Sequence, residues 1–268
     1  EDEEQTLALK TNRLPEERTL RVEDVCFSYD GADRDYVLEH VSLAIPQHKV
    51  TAVVGASGSG KTTLVKLLLG FYEPNKGAIR VGNVLLKDMN PHVWRAHTGC
   101  VMQDGFIFSD TIARNIAVGA ESIDRERLLH AVTGANIREF IDSLPLGYNT
   151  RIGMEGNGVS QGQRQRILIA RAVYKDPEFI FLDEATNALD TNNEKEIMEH
   201  LHRFYRGRTV VVVAHRLSTV RDADNIVVLD KGRKLLKSNS IKKRVIIRVK
   251  KMVPIPVKHF IKKLFKLV

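Results

Sequence analysis

An α/β fold built on a mostly parallel sheet with helices on both faces is what this sequence predicts, and three observations predict it. Apolar runs of strand length at residues 50–54, 179–182, 209–213 and 226–229 alternate with helix-forming stretches. The runs are continuous rather than alternating, the pattern of strands covered on both sides. The first of them feeds a glycine-rich turn that opens directly into helix formers at 62–69, closed by Gly70.

Residues 1–18 are charged, contain Pro15 and show no sustained period, so they read as a linker arriving from an upstream domain. The main domain starts near Thr19. Leu20, Val22, Val25 and Phe27 suit one strand and residues 41–45 a second, with the polar stretch 30–35 as the turn between them. That opening is antiparallel in character. Helical segments dominate 111–141, with Asp124 as N-cap, and Ser160 opens a further helix that runs to about Tyr174. A last helix is expected over about 192–205. No internal repeat is present.

Composition narrows the class. The formal net charge of +8 suggests an anionic partner until it is located: from Arg233 to Val268 there are thirteen Lys and Arg and no acid, so residues 1–232 hold more acids than bases. No nucleic acid partner is expected of such a surface. No apolar run approaches the roughly 20 residues of a membrane-spanning helix. Cys26 and Cys100 stand in no metal-ligand spacing and read as buried thiols of a reducing compartment.

Three stretches carry chemistry. Gly55-Ala56-Ser57-Gly58-Ser59-Gly60-Lys61-Thr62, followed by Thr63, fits GxxxxGK[ST] between a buried strand and a helix. Its glycines let backbone N–H groups wrap phosphates, Lys61 reaches β- and γ-oxygens, and the Thr62 hydroxyl suits Mg²⁺. Residues 179–182 end in Asp183 and Glu184, at the sheet edge where open α/β folds bind ligands. Asp183 would help hold Mg²⁺ and Glu184 would act as general base toward water. The third stretch is Val159-Ser160-Gln161-Gly162-Gln163-Arg164-Gln165-Arg166, at a helix start just upstream of that acidic strand.

This last stretch resembles the ABC signature LSGGQRQR, and other landmarks of ABC nucleotide-binding domains then fall into order. Tyr29 resembles the aromatic that stacks on adenine, Gln103 the Q-loop glutamine between Mg²⁺ and the transmembrane partner, Asn187–Asp190 the D-loop, and His215 the switch histidine at the γ-phosphate. Taken singly these are a strand-edge aromatic, a surface amide and a strand-end side chain. Their order gives them meaning. The resemblance implies a P-loop NTPase (ABC ATPase) core with an antiparallel β portion and an inserted α-helical subdomain at about 104–170, all within 19–232. It implies ATP and Mg²⁺ as cofactors and an ATP-dependent head-to-tail homodimer, in which Ser160, Gly162 and Gln163 of one copy meet the nucleotide of the other. The resemblance also implies a transmembrane domain as partner, on the same polypeptide, which would place the domain at the cytoplasmic face of a cell membrane.

The exporter type follows from further likeness. Residues 106–116 look like the segment after the exporter Q-loop, 215–219 like the exporter switch region, and Gly153 and Gly156 partly match the exporter coupling segment, although Arg151 and Met154 stand where acids are common. The look of the chain, with Gln161 in the signature, is similar to bacterial peptide or bacteriocin exporters. Two departures stand out. Val159 and Gln161 replace a leucine and a glycine of the signature, and likeness stops near Gly232, where residues 233–268 form an atypical basic tail. Val257, Phe260, Ile261, Leu264, Phe265 and Val268 lie at helical spacing opposite lysines, which suits either an anionic membrane surface or translation in a shifted frame. A non-transport ABC ATPase would carry a long insertion between Gln103 and Ser160 or a second cassette, and neither is present. A binding-only cassette is favoured by Gln161 and opposed by intact Lys61, Asp183, Glu184 and His215.

Overall fold

The computed structural model describes residues 10–31, 35–153, 158–183, 199–214 and 220–238. Its contacts divide the chain into two compact units, residues 1–98 with 209–268, and residues 99–208.

The first unit contains an antiparallel sheet in the order β2-β1-β4-β5, from β1 (Leu20–Phe27), β2 (Leu38–Ile45), β4 (Lys76–Val81) and β5 (Val84–Leu85). Leu20 pairs with Ile45 on one side and with Val81 on the other. Leu20, Val22, Leu38, Val41, Leu43 and Ile45 are buried between exposed neighbours, as expected of a sheet with one face covered. The register slips after Val22, where Asp24 takes a φ of 50° and its N–H reaches Ser42 Oγ at 2.9 Å.

A second set of strands in this unit runs β12-β11-β3-β10. Here β3 (Val50–Gly55) lies between β10 (Thr209–Val213) and β11 (Asn225–Asp230), parallel to both. All five residues of β10 are buried, and each fully buried valine contributes about 1.5–3 kcal/mol over an exposed one. The helix α1 (Lys61–Leu68) follows β3 and ends in a Schellman motif: Gly70 takes φ 75°, its N–H donates to Leu67 O, and Phe71 N–H donates to Lys66 O. Next, α2 (Pro91–His97) begins with Pro91 behind an Asn90 side chain that caps His92 N–H at 2.9 Å, and its buried Trp94 donates Nε1–H to Leu68 O.

Two stretches depart from expectation. Within the predicted linker, Thr11 N–H donates to Asp88 O and Asn90 N–H to Thr11 O, and Gly82 is packed so closely on Glu17 O that a Cβ would lie 2.1 Å from it. Residues 10–18 are thus laid against the domain. The predicted basic tail likewise begins as β12 (Arg233–Ser238), antiparallel to β11 across a two-residue turn. In that turn Lys231 and Gly232 both take positive φ, as type I′ requires.

The second unit is mainly helical. It contains β6 (Thr98–Val101) beside β9 (Phe179–Asp183), α3 (Ile112–Ile116), α4 (Arg125–Gly134), α5 (Arg138–Asp142) and α6 (Gln161–Lys175). Asp124 caps α4 by accepting Arg127 N–H at 3.0 Å, as its sequence position predicts. Both α3 and α4 pack on α6, whose turn from Ile167 to Ala170 is buried on every side and whose burial continues through Ala172, Val173 and Tyr174. Residues 110–111 (β7) pair with 151–152 (β8) in a two-stranded ribbon, and 199–205 are helical.

Candidate functional site

The glycine-rich loop of the first unit is shaped by contacts that only glycine tolerates. A Cβ on Gly55 would sit 2.2 Å from Leu229 O and 2.4 Å from Ser59 Oγ. Gly58 and Gly60 take φ of 75° and 94°, in the left-handed region. Gly60 is the N-cap of α1 and supplies no side-chain cap, so the first N–H groups of that helix point out of its end without a side-chain acceptor. Lys61, only 6% exposed, folds back over the loop and donates to Gly55 O at 3.1 Å and Ala56 O at 2.8 Å. The buried Ser59 hydroxyl has no hydrogen-bond partner among the described residues. Ser57 and Thr62 are exposed, and Thr63 is buried. A cradle of backbone donors, an orphaned buried hydroxyl and a lysine ammonium drawn onto two loop carbonyls together fit a polyphosphate.

Tyr29 is tied to the same helix. Its hydroxyl lies 3.1 Å from Thr63 Oγ1, and its ring stands edge-on to Phe27 (centroids 5.0 Å apart) and Tyr72 (5.3 Å), with Lys66 Nζ 5.9 Å from the centroid. The ring remains 47% exposed, which leaves a face for an aromatic base. Tyr72 escaped the sequence reading, although an aromatic pair directly after Gly70, Phe71-Tyr72, was a visible signal.

In the second unit, Asp183 closes β9 as a carboxylate only 1% exposed. Gln103 is exposed in a turn just past β6. That turn is anchored to α6: Arg164 donates from both Nε (3.0 Å) and Nη2 to Gly105 O, while a Cβ on Gly105 would lie 2.4 Å from Leu168 Cδ1. Arg171 continues the seam, donating to Asn115 O at 2.8 Å and Phe106 O at 2.9 Å and standing over the Phe108 ring. Burial lowers its pKa from the ordinary arginine value. Asn115 is fully buried; it accepts Phe108 N–H at 2.8 Å and donates to Phe108 O and Thr111 O. Sequence reasoning missed it, since an asparagine inside a helical run carries no pattern. Gly153 fits against Ser109 through its φ of 100°, where a Cβ would come within 3.0 Å of backbone.

The N-terminus of α6 carries a side-chain cap. Ser160 Oγ accepts Gln163 N–H at 3.2 Å, and Gln163 Oε1 accepts Ser160 N–H at 2.9 Å, a complete capping box. Ser160 and Gln161 are exposed, and Gly162 and Gln163 are half-buried. Cys26 is buried as expected, whereas Cys100 is only partly so, and burial raises its thiol pKa. Glu184, Asn187–Asp190, His215 and the region to Thr219, Met154 and Gly156, and the tail beyond Ser238 lie outside the described residues. Among the described residues no group of three or more His, Cys, Asp or Glu could hold a metal ion, and no helix is long and apolar enough to cross a membrane.

Comparison with known proteins agrees with these features. The family model described as ABC transporter matches residues 38–187. An ATP-dependent lipid A-core flippase of Saccharophagus degradans is 45% identical over 214 residues, covering 80% of this chain and 36% of the flippase. The mitochondrial ATP-binding cassette sub-family B member 10 of Mus musculus is 44% identical over 217 residues, covering 80% of this chain and 30% of that protein. Among solved structures, a bacterial Atm1-family ABC exporter with ATP bound superposes with a TM-score of 0.83 at 33% identity, over 95% of this chain and 43% of the exporter. The chain spans about a third of the length of the curated relatives it matches. With a matched family model over more than half its residues and a glycine-lined phosphate cradle in its first unit, the chain belongs to the ABC transporter family, as an ATP-binding domain whose relatives are ABC exporters.

Proposed function

We propose that this domain binds Mg-ATP on the loop Gly55–Thr63, hydrolyses it, and thereby drives export by a transmembrane domain at the cytoplasmic face of a membrane. The observation that carries the reading is the uncapped start of α1 behind Gly60, with Lys61 folded onto Gly55 O and Ala56 O. When nucleotide enters, Lys61 Nζ exchanges those two carbonyls for β- and γ-phosphate oxygens, a gain in charge pairing. The N–H groups at the start of α1 take further phosphate oxygens. Tyr29 offers its exposed face to adenine. Thr62, Asp183 and Gln103 each carry an oxygen of the kind that would hold Mg²⁺, and such an ion would supply neutralisation of phosphate charge. Glu184 holds and deprotonates the attacking water, and His215 steadies the γ-phosphate.

Two copies meet head to tail, so that Ser160, Gly162 and Gln163 of one copy close over the nucleotide of the other. The relatives' printed names favour a lipid-like amphiphile as cargo over the peptide that Gln161 suggested. The test is a paired variant. Glu184→Gln should retain ATP but not turn it over, and should form an ATP-dependent dimer seen as a doubled mass in light scattering. Adding Ser160→Arg should return it to monomer. Wild-type turnover by Glu184→Gln removes Glu184 as base, and an undiminished dimer with Ser160→Arg removes the head-to-tail arrangement.

A further inference from the structure

The start of β2 is wedged between two glycines. On one side Leu38, fully buried, comes so close to Gly60 that a Cβ there would lie 2.6 Å from Leu38 Cδ2 and 3.0 Å from Val37 O. On the other side Gly232, in the β11–β12 turn, is as close: a Cβ there would lie 2.4 Å from Val37 O. The wedge is fastened on both edges. Val37 N–H donates to Phe27 O at 2.8 Å, and Glu39 N–H donates to Gly232 O at 2.8 Å. Arg233 then grips Glu39 with a two-pronged contact, Nε to Oε2 at 3.0 Å and Nη2 to Oε1 at 2.7 Å, and Lys234 Nζ donates to Ser42 O on the same strand.

We propose that β12, through Gly232 and the Arg233–Glu39 clamp, positions the phosphate loop by holding Val37 and Leu38 against Gly60. The consequence is specific, because Gly60 is the N-cap of α1 and its left-handed φ of 94° sets where the first N–H groups of the helix point. A wedge that backs away leaves Gly60 free to rotate, and the donors lose their shared focus. The proposed base, Glu184, is no part of the wedge, so the change acts first on the phosphate donors. Loss of the clamp therefore raises KM for ATP with little change in kcat. Residues 233–238, which the sequence assigns to the basic tail, thus belong to the support of the nucleotide site. This inference rests on the loop Gly55–Thr63 being that site.

The experiment compares ATP affinity and turnover in the whole chain, in chains ending after Ser238 and after Gly232, and in the variants Arg233→Glu, Glu39→Arg and the two combined. The chain ending at Ser238 should match the whole chain. The chain ending at Gly232 should bind ATP about fivefold or more weakly, and each single charge reversal about threefold more weakly, with restoration in the double reversal. Thermal unfolding followed in parallel shows whether the Gly232 chain folds; if it does not, the three charge variants decide. Unchanged KM in both single reversals overturns the proposal, and so does a folded Gly232 chain with unchanged affinity. Lys61→Ala run alongside separates the two failures. If Lys61→Ala binds ATP normally, the nucleotide site itself is misplaced. If Lys61→Ala loses ATP while the clamp variants do not, only the role of β12 falls.

Discussion

Two helices of this protein begin in glycine-bearing segments that we propose to meet nucleotide, yet their first turns are finished in opposite ways. At α1 the N-cap is Gly60, without a side chain to accept a bond, so the N-cap itself leaves the positive end of the helix dipole open to a ligand. At α6 the N-cap is Ser160, and the Ser160–Gln163 box already satisfies two donors, one at each end of the box. The first end is built to be completed by phosphate. The second already has its N-cap hydroxyl engaged, although Ser160 Oγ, while accepting Gln163 N–H, keeps its O–H to donate and a second lone pair to accept. In these terms the uncapped helix has its N-cap position open to a ligand, whereas the capped helix offers what its box leaves over.

The comparison can be broken in four ways, taken from the largest expected effect downward. Lys61→Ala removes the cation that tops the uncapped end, and steady-state turnover should fall by about a hundredfold or more, on the order of 2.7 kcal/mol in the barrier. Gly60→Ala forces an L side chain into φ 94° at a cost of about 1–2 kcal/mol and against Leu38. ATP titration should show weaker binding, and Leu38→Ala in the same chain should relieve the collision but not the backbone strain. Ser160→Ala opens the box and should lower the urea-unfolding free energy by about 1 kcal/mol while ATP affinity of the monomer stays unchanged. If ATP affinity falls instead, the division between the two helix ends is wrong.

The smallest effect concerns pH. Arg233 beside Glu39 holds that carboxyl below its ordinary value of 4.5. A depressed folded pKa adds stability above the unfolded value and loses it as pH falls through the folded one. The urea midpoints of the chain and of Glu39→Gln should therefore differ at pH 7 and converge below about pH 4.5. The pair is solvent-exposed, so the difference should be small and should shrink with salt.

What was legible in the sequence was whatever combined a continuous apolar run with turn chemistry. β3, α1, β9, β10 and β11 satisfy that condition, and Asp124 and Ser160 announced their helices by the oxygen they place before the first turn. The stretch from β4 to β6 went unread. β4 is interrupted by Gly77, which is there because a Cβ would lie 2.3 Å from Glu23 O, a tertiary fact with no local trace. α2 did carry a signal, Asn90 followed by Pro91, but at seven residues it shows no helical period. β12 was obscured by charge: the bases that marked residues 233–268 as an atypical basic tail include Arg233 and Lys234, which fasten β2. The type I′ turn at Lys231-Gly232 was the sign available there. The site landmarks were proposed from their order along the chain, whereas Tyr72 meets Tyr29 across 43 residues and Arg171 meets Asn115 across 56, contacts that no local pattern encodes.

The arginine seam along α6 has one more implication. Arg164 holds the carbonyl of Gly105, and Arg171 holds those of Phe106 and Asn115, so the signature helix and the segment at 105–116 share hydrogen bonds rather than merely touching. Those bonds give the two segments a direct physical connection, through which a shift of one would strain the other. Reciprocity then fixes the form of any coupling: if occupancy at Ser160 changed the affinity of a partner on the exposed Phe106 and Phe108 rings, that partner would change the affinity at Ser160 by the same factor.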